Sequence, residues 1–268
     1  EDLLFHSHWL KPYGSVELIG YKGGDITVSR IATAGHGLKI FPEQPDLDDF
    51  VEHLAAKEID EPFRSVMLQF RIVAPIEVAY SFVYSPDCSV NEYSGRYSVM
   101  MDEGYVPSYE RILRHVQDED KAREILSTLK ARRRDSYDSY KTLLDRNNLT
   151  RELSRCILGS DNYTKFYWKM DLANLARFVR KQRKQHEPDT ITRDYLEIIA
   201  EMASKCAPLS WTVLMNDGNK VITLTHPRDE DIIDTPLSSP EWELSETRRV
   251  TVDSLEEVLF VERSYLDT

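Results

Sequence analysis

The sequence predicts a mixed α/β (α+β) fold, on three observations. Short runs rich in β-branched and aromatic residues crowd the N-terminal part. Charged, amphipathic segments of helical period fill the middle. The length, 268 residues, allows one large domain, or one and a half, around a sizeable core.

In chain order, Ser15 to Tyr21 and Asp25 to Ala32 read as two strands, with Gly23-Gly24 as their hairpin turn. Asp46 is placed to cap a helix running to about Lys57, with Phe50, Leu54 and Ala55 on one face. Val66 to Val73 and Pro75 to Val83 read as strands, the second delivering the polar stretch Tyr84 to Ser98 to a sheet end. Pro107 to about Asn147 is helical, broken in two near Gln117-Asp-Glu-Asp120, and a short helix from Arg151 to Leu158 ends by Gly159. Tyr163 to about Gln185 is the longest helical pattern, with Phe166, Tyr167, Met170, Leu172, Leu175 and Phe178 inward. A helix over Ile191 to Cys206 follows Pro188. Beyond Trp211 come a strand at Lys220 to Thr225, an acidic linker at Asp229 to Glu241, and a strand and helix within 248 to 262. No internal repeat is visible.

Composition narrows the function. The net charge of −12 argues against a nucleic-acid polymer as partner, although a few arginines in a pocket still hold a small anion. The three cysteines, Cys88, Cys156 and Cys206, are far apart and odd in number. They suggest neither a disulfide framework nor a metal site, and point to a reducing, cytoplasmic setting. No apolar run approaches the ~18 residues of a membrane span, and no signal-peptide pattern opens the chain.

The segment Ser89-Val-Asn91-Glu92-Tyr-Ser94-Gly95-Arg96-Tyr97-Ser98 is the densest in chemistry. Gly95 lets backbone N–H groups approach an oxyanion, and Arg96 offers a planar fork to a phosphate. On spacing alone, a turn with a surface ion pair is an equal reading.

This segment resembles the signature of the flavin-dependent thymidylate synthases: Arg-His-Arg, two residues, then Ser-x-Asn-Glu-x-Ser-x-Arg-Tyr. The second half is complete in Ser89, Asn91, Glu92, Ser94, Arg96 and Tyr97. Collinear matches extend the resemblance over roughly residues 12 to 215, among them Arg30, Pro62-Phe63, Phe70-Arg71, Tyr105-Val106-Pro107, Arg151-Glu152, Arg155, Tyr167-Trp168 and His186. The departures are as specific. Arg-His-Arg is Tyr84-Ser85-Pro86, and the Arg-Gln-Trp before it is Tyr80-Ser81-Phe82. His-Thr-Ser-Pro-Phe-Glu-His is Ile59 to Ser65, Asn-x-Arg is Asp171-Leu172-Ala173, and a late arginine is Gln182, with Arg183 beside it. The nucleotide half of the family site survives better than the flavin half.

The resemblance implies a mainly antiparallel sheet flanked by long helices over 1–215, with 216–268 as an extension, and a homotetramer. It implies methyl transfer to C5 of dUMP or UMP, a pyrimidine nucleoside monophosphate, with FAD and a folate one-carbon donor. Ser94, Gly95, Arg96, Tyr97, Arg155 and Gln182 fall at nucleotide positions; Ser89, Asn91, Glu92, Asp171 and His186 fall at flavin positions. Gln182, Arg183 and Tyr84 are the candidates for the chemistry. Gln182 would hydrogen-bond the uracil edge. Arg183 points about 100° away on an ideal helix and equally suits a solvated basic run. Tyr84 and Asp87 are acid/base candidates if the reaction has changed.

Other readings stay open residue by residue. Arg155 suits a phosphate or a surface pair with Glu152. Glu92 suits the flavin or the orientation of Arg96. Tyr97 suits a base or the core, and His186 a ligand or a helix end. Cys88 suits a nucleophile or an inert thiol. Two rivals to the methylase follow from the departures: a flavin-independent enzyme on a related pyrimidine nucleotide, and a non-catalytic nucleotide-binding partner of an intact homologue.

Overall fold

The structure, a computed structural model, describes residues 7–10, 12–34 and 44–216. The expected elements beyond Met215 lie outside the described residues. Five strands, β1 (Ser7–Leu10), β2 (Gly14–Lys22), β3 (Met67–Pro75), β4 (Ser89–Glu92) and β5 (Tyr163–Asp171), form one sheet in the order β1-β2-β3-β5-β4. The β1–β2 and β4–β5 pairs are antiparallel. The helices are α1 (Asp25–Ala34), α2 (Gln44–Ala56), α3 (Glu61–Arg64), α4 (Ile76–Val83), α5 (Tyr109–Val116), α6 (Glu119–Asp145), α7 (Arg151–Ser154), α8 (Leu172–Gln185), α9 (Ile191–Cys206) and α10 (Pro208–Met215). A 3-10 turn over Arg155–Ile157 extends α7.

Two compact units divide the chain. The first comprises Glu1–Gly20, Gln69–Met170 and Lys181–Ala200. Its core lies on one face of the sheet. Alternation buries Val16 and Leu18 of β2, Phe70 and Ile72 of β3, and Phe166, Trp168 and Met170 of β5. Phe82 of α4 closes this layer, its ring 5.3 Å from Trp168 and edge-on, and the Trp168 indole N–H donates to Phe82 O at 3.2 Å. The second unit comprises Tyr21–Leu68, Asp171–Arg180 and Glu201–Thr268. Within it α1 packs on α2, α3 and α10, and the Asp25 carboxylate accepts from the Leu209 and Ser210 amides at 3.1 and 2.8 Å.

Four expectations are corrected. Asp25–Ala34 is a helix: Val28, Ser29, Ala32 and Thr33 are buried at helical spacing. The Gly23-Gly24 pair therefore turns strand into helix, with Gly24 O accepting from Thr27 and Val28 amides at 2.9 and 3.1 Å. Ile76–Val83 is also a helix, burying Val78, Ala79 and Phe82, and its first amides donate to Asn162 O and Ser160 O. Tyr163–Asp171 is a strand, because Thr164, Phe166, Trp168 and Met170 alternate with Lys165, Tyr167, Lys169 and Asp171. Tyr167 accordingly faces outward, 52% exposed. Finally, α2 begins at Gln44, so Asp46 lies inside it. The break between α5 and α6 falls where the charges predict it: Gln117 takes a left-handed conformation, and the Asp118 side chain accepts from the Lys121 amide at 3.0 Å.

Candidate functional site

β4 lies at the sheet edge and carries half the motif. Its register sets Ser89 opposite Lys169 and Asn91 opposite Tyr167, so these four share the open face. Val90 and Glu92 take the other face, opposite Trp168 and Phe166, and Glu92 accepts from Thr164 Oγ1 at 2.9 Å. Glu92 does not pair with Arg96; Arg96 Nε instead lies 3.1 Å from Glu152 Oε1. A depression of about 300 Å³ opens on the outer face, lined in part by Ile19, Gln69, Ser89, Asn91, Tyr167 and Lys169.

The other half of the motif is a tight turn. The Tyr97 and Ser98 amides donate to Ser94 O at 3.2 and 3.1 Å, and the Arg96 amide donates to Ser94 Oγ at 3.3 Å. Gly95 is buried at the bend. A methyl group there would stand 2.8 Å from Met100 Sδ, 3.4 Å from Arg155 Cδ and 3.5 Å from Arg155 Nη1. The turn and the Arg155 guanidinium are therefore packed together, from β4 and the end of α7. Arg155 has no carboxylate within ion-pair distance among the described residues. The surface-pair reading thus falls to Arg96, whose partner is Glu152.

Long helix α6 braces this turn. The Met100 amide donates to Tyr140 Oη at 2.9 Å, and the Tyr137 hydroxyl donates to Met100 O at 3.0 Å. Tyr93 Oη donates to Val99 O at 2.9 Å across the loop. Tyr97 is 79% exposed, which removes the core reading for it.

The remaining candidates lie on other elements. Gln182, on α8, is buried and lies 3.1 Å from His186 Nε2 through its Oε1. The His186 amide also closes the helix end on Gln182 O. Arg183 turns away, as the helical angle requires: its Nε donates to Glu197 Oε1 at 3.0 Å. Glu197 also holds Arg193 at 3.2 Å. Asp171 caps α8, accepting from the Asn174 amide and side-chain amide at 2.9 and 2.6 Å. Tyr84 ends α4, 78% exposed, its ring 5.7 Å from that of Tyr80. The Cys88 thiol donates to Ser85 O at 3.1 Å, and Arg30 lies within α1.

Tyr167, Lys169, Tyr137 and Tyr140 were not singled out from the sequence as site or supporting residues. The strict alternation over Thr164 to Met170 is the signal that places Tyr167 and Lys169 beside β4. Among the described residues, no cluster of His, Cys, Asp and Glu could hold a metal ion, and no helix is long and apolar enough to cross a membrane.

Comparison with known proteins identifies the family and the fold. The family described as thymidylate synthase complementing protein matches residues 23–209. A flavin-dependent thymidylate synthase of Thermus thermophilus is 34% identical over 205 residues, covering 74% of each chain. That of Ehrlichia ruminantium is 33% identical over 227 residues, covering 80% of this chain and 75% of its own. The UMP/dUMP methylase PolB of Streptomyces cacaoi, bound with 5-Br dUMP, shares the fold at a TM-score of 0.66 and 20% identity, covering 75% of this chain and 93% of that one. The matched family and the identities, together with the Ser89 to Tyr97 turn, place this chain in the flavin-dependent thymidylate synthase family.

Proposed function

We propose that the protein is a methylase acting at C5 of a uridine or deoxyuridine monophosphate. The observation that carries this reading is the Arg155 guanidinium, which meets no carboxylate among the described residues, packed against the buried bend at Gly95. Two guanidinium groups and a turn with a small residue at its bend form a cradle for a dianionic phosphate. Ser94 Oγ and Arg96 complete the cradle once Arg96 exchanges Glu152 for the ligand.

Each remaining residue has a defined task in this reading. Gln182, oriented by His186, hydrogen-bonds the edge of the pyrimidine. Tyr97, exposed at the turn, covers the sugar or the base. Tyr84, exposed at the end of α4, is the proton-exchanging group of this reading. Arg183 acts indirectly, fixing α8 to α9 through Glu197.

A flavin suits the open face of β4 and β5. Ser89 and Asn91 supply hydrogen-bonding groups, Tyr167 a ring to stack on, and Lys169 a cation for a phosphate. The depression of about 300 Å³ takes a ring system, not a whole dinucleotide. The flavin, here proposed to be FAD, would supply the hydride that reduces the transferred one-carbon unit, and a folate would supply the carbon. Asp171 and His186 are the weaker members of the flavin set, being engaged by Asn174 and Gln182. Residues 1–215 would form the working domain, in a homotetramer in the cytoplasm.

A second reading, a nucleotide-binding homologue that does without flavin, is favoured by one observation. The exposed rings of Tyr80 and Tyr84 stand at the segment where the family carries cations. Adding FAD to the purified protein and recording the visible flavin spectrum after gel filtration separates the two. Retained flavin supports the methylase; a colourless protein that binds dUMP and leaves it unchanged overturns it.

A further inference from the structure

We propose that a second groove, apart from the motif turn, binds a nucleoside triphosphate. The groove has a volume of about 740 Å³ and runs between the loop 104–108 with the start of α5 and the flank of α6. Its lining includes Tyr13, Tyr105, Tyr109, Lys130, Arg133 and Arg134. That volume falls in the range of small-molecule sites.

The charges in the groove, five cations with the carboxylates Glu110 and Asp194, differ in how they are partnered. Arg111 and Arg114 are satisfied internally. Arg111 donates to Tyr105 Oη, Asp189 and Asp194 at 2.9, 3.1 and 2.8 Å, and Arg114 donates to both oxygens of Asp189. They build the wall. Lys130 and Arg134 are four residues apart on one face of α6, are exposed, and have no carboxylate within ion-pair distance among the described residues. Two free cations one helical turn apart in a chain of net charge −12 form a local anion site.

Arg133 points to the same ligand. Its Nη2 lies 2.5 Å from Asp102, yet its Nε is buried without an acceptor. A side chain at position 104 would collide with it, since a Cβ there would stand 2.4 Å from Arg133 Nε. Gly104 thus makes room for the guanidinium against the loop. A buried N–H left unmatched is costly unless something accepts from it. An oligophosphate supplies several acceptors and more negative charge than Asp102 alone. The three phenol rings and Pro107 give the opposite wall an aromatic and apolar surface, which suits a base and is wasted on inorganic phosphate. A triphosphate has enough oxygens to meet Lys130, Arg134 and Arg133 together.

The test is equilibrium binding of ATP, UTP and inorganic tripolyphosphate to the full chain, with Lys130→Glu/Arg134→Glu and Arg96→Ala variants. Both α6 positions are exposed, so the fold should tolerate them; an unchanged thermal melt verifies this, and the milder Lys130→Gln/Arg134→Gln pair repeats the measurement. The expected result is saturable nucleoside triphosphate binding, at least tenfold weaker in the α6 variants and unchanged in Arg96→Ala. Tripolyphosphate should bind several-fold more weakly than the nucleotides. Absence of saturable binding, tripolyphosphate binding as tightly as the nucleotides, or a loss confined to Arg96→Ala would overturn the proposal.

Discussion

Gly95 and Arg155 occupy one space: a methyl on the glycine would stand 3.4 Å from the Cδ of the arginine and 3.5 Å from its Nη1. The two residues belong to different elements, a turn after β4 and the 3-10 end of α7, and meet only because the chain folds them together. A bend without a side chain lies here beside a guanidinium that has no carboxylate partner among the described residues. The proposed function makes this pair the receptor for the nucleotide phosphate.

Arg155→Ala should therefore weaken dUMP binding by tenfold or more with little change in melting temperature. A charge-assisted hydrogen bond is worth about 1.5–3 kcal/mol, which converts to that range or beyond. Arg96→Ala should do the same. Glu152→Gln should act in the opposite direction, because it releases Arg96 from its present partner. Isothermal titration of the three variants with dUMP checks all three signs. Unchanged affinity in both arginine variants would remove the phosphate cradle from this turn.

The turn is only as well placed as its brace on α6. Tyr140 is fully buried, and its hydroxyl accepts from the Met100 amide. Tyr140→Phe leaves that buried N–H unmatched and should cost about 1–3 kcal/mol. Tyr137→Phe removes a donor from Met100 O in a hydrogen bond that is only part-buried, and should cost less. Urea unfolding midpoints give the order. Because Met100 Sδ lies against the Gly95 position, Tyr140→Phe should also loosen nucleotide binding, which a purely structural role elsewhere in α6 would not do.

The three thiols should react in a set order. Cys156 is exposed on the 3-10 turn and should react first with a disulfide reagent at pH 8. Cys88 is half-buried, its thiol donating to Ser85 O, and should follow. Cys206 should be last: burial pushes its thiol up to about 11, so little thiolate is present. Cys88→Ser should retain any methylase activity, since its hydroxyl preserves the contact to Ser85 O. Loss of activity would restore Cys88 as a nucleophile.

Much of this architecture was legible, and the failures have physical causes. The α5–α6 break could be read because charges and an Asp cap act locally. The motif was legible only through its resemblance: by residue type alone a turn with a surface ion pair reads equally well, and Arg96 does pair with Glu152. Asp25–Ala34 and Ile76–Val83 were misread because Ile, Val and Phe satisfy both periods over short runs, and tertiary burial of Val28, Ala32, Val78 and Phe82 decided the outcome. Tyr163–Asp171 was misread because a helix follows it without a break, so the strand's alternation was merged into the helical pattern. That merger hid Tyr167 and Lys169. The Gly95–Arg155 contact, between residues sixty apart, was available only as a resemblance until the fold supplied it.

Acid should weaken the tie between α5 and the segment before α9 through Asp189. The Arg114 hydrogen bonds, with those of Arg111, hold its carboxyl well below the usual range, down to about 2 from 3.8. A carboxylate depressed in the folded state stabilises it above the unfolded pKa, and that contribution is lost as pH falls through the folded one. Stability should thus be independent of this group above about pH 4 and decline between about pH 4 and 2. Asp189→Asn lowers stability at neutral pH and flattens this part of the acid limb, because no proton is left for the site to take up. Urea midpoints for wild type and variant at half-unit pH steps test it. Parallel curves across that window would show that Asp189 titrates alike in both states and that its arginine contacts contribute nothing in solution.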